Sequence, residues 1–108
     1  MTTTQQSAAI VLAQLVAVPD LPRLTWRLTG GSRPELIAQP LHDTDDERTA
    51  AIRKWAAHFG AEVEVTANDR YTSVEIRAEV DGVPVVVFTH TDRTHTYVAV
   101  PVDQAGGA

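Results

Sequence analysis

The dipeptide Asp81-Gly82 constrains this chain more than any other feature, because of what flanks it. Before it, Val74, Ile76, Ala78 and Val80 alternate with Ser73, Glu75, Arg77 and Glu79; after it, Val83, Val85 and Val87 alternate with Pro84, Val86 and Phe88. Period-two hydrophobicity on both sides of an Asp-Gly pair predicts a β-hairpin closed by a two-residue type I′ turn, whose central residues both need positive φ. A turn of that length fixes the register. Val80 must oppose Val83, Ala78 oppose Val85, Ile76 oppose Val87 and Val74 oppose Thr89 on one face. On the other face Arg77 meets Val86, Glu75 meets Phe88 and Ser73 meets His90.

The strand after the turn is expected over residues 83–91 and enters the near-palindrome FTHTDRTHTY at 88–97. Read as a second two-residue turn, Asp92-Arg93 leads into a further strand over 94–102 that pairs with the preceding one. His90 then opposes His95, Phe88 opposes Tyr97 and Val86 opposes Ala99. That ladder puts Val86, Phe88, Tyr97 and Ala99 on one face, apolar where a sheet covered on one side only should be polar. Something should cover them, either a helix of the same chain or a partner.

Upstream, the apolar stretch 8–18 is too short for the ~20 residues that span a bilayer, and MTTTQQ before it lacks the positive charge of a secretory leader. It reads as a helix, with Ile10, Val11, Gln14, Leu15 and Val18 at helical spacing, Thr3 or Thr4 as cap, and Pro19 and Pro22 beyond its end. Leu24, Trp26 and Leu28 alternate with Thr25, Arg27 and Thr29, and residues 35–41 supply the second arm of a hairpin across Thr-Gly-Gly-Ser-Arg-Pro. Gly30-Gly31-Ser32-Arg33 is a turn there, since a phosphate cradle would need a following Lys-Ser/Thr on a helix.

Thr44 followed by Glu47 forms a capping box, and Asp45, Asp46 and Glu47 suit the positive end of a helix dipole. This second helix runs to His58 or Phe59, with Gly60 as its terminator, and gathers Ile52, Trp55, Ala56 and Phe59 on one face. Val63 and Val65 alternate with Glu62 and Glu64 in a short strand, and Ala67-Asn68-Asp69-Arg70 is a turn. The expected fold is therefore a single α+β domain over residues 1–102, with two helices and an antiparallel sheet in the order α-β-β-α-β-β-β-β. Residues 103–108 read as a disordered tail.

Composition narrows the function classes. The net charge of −5, with Lys54 the only lysine and the arginines scattered, excludes a nucleic-acid-binding stripe. With no cysteine there is no disulfide framework, thiolate zinc site or cysteine nucleophile. The chain has no serine elbow, phosphate loop or H-E-x-x-H run, so neither catalysis nor a cofactor is expected. The expected function is a non-enzymatic protein–protein interaction module, cytoplasmic and without a membrane segment. Its partner-binding residues are Val86, Phe88, Tyr97 and Ala99 with His90 and His95, and its partner is a second copy of the chain, as a homodimer, or another protein. The alternative is a small-ligand or metal-binding domain, in which His90 and His95 across a hairpin, with Glu75 at diagonal reach, form a two-His, one-carboxylate set.

Pro19-Asp20-Leu21-Pro22 before the Trp26 strand, Trp55-Ala56 with Gly60-Ala61-Glu62-Val63, and Val80-Asp81-Gly82-Val83-Pro84-Val85 together resemble small uncharacterised proteins of Streptomyces-type actinobacteria and their phages or integrative elements. That resemblance implies a cytoplasmic accessory or regulatory protein of a phage or mobile element, and it brings no catalytic residues with it.

Overall fold

The computed structural model describes residues 4–92. Two helices and five strands follow in the order α1 (Gln5–Val16), β1 (Leu24–Leu28), β2 (Leu36–Pro40), α2 (Asp45–Phe59), β3 (Glu64–Ala67), β4 (Tyr71–Val80) and β5 (Val83–Asp92). The strands form one sheet in the order β1-β2-β5-β4-β3. The class is α+β.

Each element is closed by the residues the sequence nominates. Thr4 caps α1, its side chain accepting from the Ser7 amide at 3.1 Å. At α2 the Thr44 hydroxyl accepts from the Glu47 amide at 3.1 Å while the Glu47 carboxylate accepts from the Thr44 amide at 3.3 Å, a complete capping box. Gly60, at φ 69°, ends the helix in the left-handed region where a side chain would be strained. Asp81 at φ 50° and Gly82 at φ 82° make the turn between β4 and β5, and the expected register holds from Val80↔Val83 through Ser73↔His90. The Asn68 side chain accepts from the amides of Arg70 and Tyr71 at 2.8 and 2.9 Å, which turns the chain from β3 into β4.

The sheet departs from expectation at its centre. It is mixed, not antiparallel: β2 runs parallel to β5, pairing Leu36 with Val85, Ile37 with Val86 and Ala38 with Val87. A parallel pair needs a long crossover, which the chain provides as α2 followed by the β3–β4 pair. β5 also continues through Asp92, opposite Tyr71, so Asp92 belongs to a strand and not to a turn. Three strands follow α2 among the described residues; the fourth one expected, over 94–102, lies outside them.

Both helices lie on one face of the sheet. Ala8, Val11 and Leu15 of α1 and Ile52, Trp55 and Ala56 of α2 share one core with Leu24, Leu36, Ala38, Val74, Ile76, Val83, Val85 and Val87. The α1 stripe is rotated from the one the spacing predicts. Ala8, Val11 and Leu15 point inward while Ile10 is 55% exposed, because the small Ala8 lets the helix approach the sheet closely. Trp55 anchors the core: its indole donates to the Pro22 carbonyl at 2.8 Å and its ring meets that of Trp26 edge-on at 5.8 Å.

Candidate interaction surface

With both helices on one side, the opposite face of the sheet carries no covering element among the described residues. Alternation decides what appears there. Thr25 and Arg27 come from β1, Ile37 and Gln39 from β2, and Val86, Phe88 and His90 from β5. Arg77, Glu75, Ser73 and Tyr71 come from β4, and Glu64 and Thr66 from β3. Ile37, Val86, Phe88 and Tyr71 are each only half-buried, whereas Val85 and Val87, the chain neighbours of Val86, are fully enclosed on the helix side.

These apolar groups are contiguous. Ile37 and Val86 are paired neighbours, Phe88 follows on the same strand, and its ring lies 5.5 Å from that of His90. The His90 imidazole in turn stacks on Tyr71 at 4.0 Å between ring centroids, with an interplanar angle of 22°. An apolar and aromatic ridge thus runs up the middle of the sheet. Two shallow depressions flank it. One, of about 360 Å³, is lined by Thr25, Arg27, Ile37, Gln39, Pro40 and Leu41. The other, of about 380 Å³, is bordered by Arg33, Glu35, Arg77, Glu79, Pro84 and Val86.

Charge is distributed unevenly across the face. Glu75 accepts from Arg77 at 2.5 Å and Glu79 from Arg33 at 3.0 Å, so these four are matched within the chain. Arg27 on one edge strand and Glu64 on the other belong to no ion pair among the described residues, and both are exposed.

Of the residues singled out in the sequence, Val86, Phe88 and His90 do lie together on this face, and Glu75 stands opposite Phe88. His95, Tyr97 and Ala99 lie outside the described residues. On the edge of β5 away from β4, the neighbour of Val86 is Ile37 of β2. Of the alternative metal set, Glu75 is engaged by Arg77 and the His90 imidazole stacks on the Tyr71 ring, while His95 lies outside the described residues. Ser73 stands beside His90 across the β4–β5 ladder, but the imidazole is turned onto the Tyr71 ring.

Ile37 and Tyr71 were missed in the sequence. Ile37 could have been found only by recognising the parallel pairing of β2 with β5; Tyr71 follows from extending the hairpin register two residues past Ser73.

On the helix side, Leu15, Val16, Leu21, Leu24, Trp26 and Trp55 border a recess of about 200 Å³, below the ~300 Å³ at which small-molecule sites begin. His42, in the loop before α2, has a buried Nδ1 with no hydrogen-bond partner among the described residues. No described helix is long and apolar enough to cross a membrane. No family model matches the chain, and no curated protein or solved structure was found to be similar to it.

Proposed function

We propose that this chain is a non-enzymatic protein–protein interaction module that works through the open face of its sheet, with Val86 and Phe88 at the centre of the contact and Ile37, Tyr71 and His90 around them. One observation carries the reading: both helices pack on the same face, and the other presents a contiguous apolar and aromatic ridge bordered by polar residues. A one-sided sheet needs no such ridge for its own stability. Contiguous apolar surface rimmed by polar groups is what association uses, with aromatic side chains near its centre. In keeping with the resemblance noted above, the module is a cytoplasmic accessory or regulatory protein of a phage or mobile element.

Substituting Phe88→Asp in the full chain tests this reading. The variant is expected to keep the circular dichroism spectrum and thermal midpoint of the parent, within a few degrees, while losing association. If it unfolds, Phe88 is internal core and the reading fails.

A further inference from the structure

We infer that the partner on this face is a second copy of the chain, docked sheet to sheet about a two-fold axis that runs along β5; this rests on the reading of the face as an interface. The argument is one of symmetry and charge. Two identical faces can meet about a two-fold axis only if that axis lies in the plane between them, and the contact is then self-complementary. Two orientations are natural. With the axis across the strands, β1 lies over the partner's β1 and β3 over the partner's β3, which sets Arg27 near Arg27 and Glu64 near Glu64. With the axis along the strands, the order β1-β2-β5-β4-β3 is superposed on its own reverse. β5, the middle strand, then lies over itself, and each β1 lies over the partner's β3.

That second arrangement satisfies what the isolated chain leaves open. Arg27, unmatched on β1 and level with Val86, comes over the partner's β3 two residues, about 7 Å, along the strand from Glu64, which is level with Phe88; the long arginine side chain spans that step, and symmetry gives two equivalent opposite-charge contacts at the rims. The depression edged by Thr25, Arg27, Ile37 and Gln39 receives the acid-bearing strands of the partner. At the axis, Val86 and Phe88 meet their own counterparts, so the most apolar part of the ridge is the part that becomes most enclosed.

Five strands at ~4.8 Å spacing over about 20 Å of strand present on the order of 500 Å² per protomer. The total of about 1,000 Å² is at the lower limit for a specific interface, so a reversible dimer is expected and not an obligate one.

The test is sedimentation velocity on the full chain over a concentration series reaching hundreds of micromolar, with Arg27→Glu, Glu64→Arg and the double variant. A monomer–dimer equilibrium is expected in the parent. Each single exchange should raise the dissociation constant about tenfold or more by setting like charges together, and the double exchange should return it to within about threefold of the parent. Both positions are exposed edge-strand residues, so the thermal midpoint should not move. A parent that stays monomeric overturns the inference: if Phe88→Asp then folds normally, the face stands as an interface for a different protein, and if Phe88→Asp unfolds, both readings fall. A dimer unmoved by the single exchanges, or weakened by them and not rescued by the double, also overturns the arrangement about β5.

Discussion

Ile37 of β2 and Val86 of β5 are paired neighbours in the parallel part of the sheet, and their side chains share the face that no described helix covers. That one pair links the topology to the candidate function. It closes the second edge of β5, makes β5 the central strand, and sets a branched aliphatic side chain beside the Val86–Phe88 ridge. Had β5 been an edge strand, the ridge would lie at the rim of the sheet, where apolar contacts remain wet.

The β4–β5 turn should be the most sensitive point of the backbone. Gly82 sits at φ 82°, where a Cβ is strained, and the turn holds ten residue pairs in register. Gly82→Ala is expected to destabilise the domain by about 1–2 kcal/mol. Asp81→Asn, which keeps a turn-compatible side chain at positive φ, should stay within about 0.5 kcal/mol of the parent. Urea titration of both variants checks this, and equal stability of Gly82→Ala and parent would mean that the turn is not the one described.

Trp55 is 3% exposed and bonded through its indole nitrogen to Pro22. Trp55→Ala should cost about 3–5 kcal/mol, a large share of the ~5–15 kcal/mol that holds a domain of this size. Trp55→Phe keeps much of the apolar volume but leaves the Pro22 carbonyl without its donor, at a cost of about 1–3 kcal/mol. Denaturant melts of the pair separate the packing contribution from the hydrogen bond. A near-parental Trp55→Ala would show that α2 does not pack where the core requires.

The capping box at Thr44 gives a smaller and cleaner number. Thr44→Ala removes the acceptor for the Glu47 amide and is expected to lower stability by about 1 kcal/mol. Thr44→Asp, which restores an acceptor at the same place, should recover most of it. The thermal midpoints of the two variants measure the difference.

Local order was legible wherever a single stretch of chain determines the geometry. Thr44 and Glu47, Gly60, and Asp81-Gly82 act within a few residues of themselves, and alternation around a two-residue turn specifies every pair from Val80↔Val83 to Ser73↔His90. The helix faces were legible in part: the α2 stripe through Ile52, Trp55 and Ala56 is the one the spacing gives, whereas α1 turns Ala8 inward and Ile10 outward. In so uniformly apolar a stretch, periodicity does not distinguish an alanine that permits close approach from an isoleucine that fills space. The parallel pairing of β2 with β5 was not legible. Val85, Val86 and Val87 form a continuous apolar run, the pattern of a strand covered on both faces, but nothing near them says which strand lies alongside. Alternation within FTHTDRTHTY points only to strands adjacent in sequence, whereas the neighbour of Val86 opposite β4 comes from β2, reached through a crossover.

Val86 and Val87 are consecutive residues with the same side chain on opposite faces of the central strand, which makes them a matched pair for separating stability from association. Val87 is 0% exposed on the helix side, enclosed in the core shared by α1 and α2, while Val86 is half-buried on the open face beside Ile37. A carboxylate at position 87 would be buried without a partner, which such cores do not tolerate. Val87→Asp is therefore expected to leave the chain unfolded or to lower its stability by several kcal/mol. Val86→Asp should remain folded, with a stability loss under about 1.5 kcal/mol from a less favourable strand residue. In the symmetric dimer it would also set two carboxylates together on the axis and abolish self-association. Far-ultraviolet circular dichroism under denaturant and sedimentation velocity, applied to both variants, read the two effects independently. The assignment of faces fails if the two substitutions are equally destabilising, and the dimer fails if folded Val86→Asp associates as the parent does.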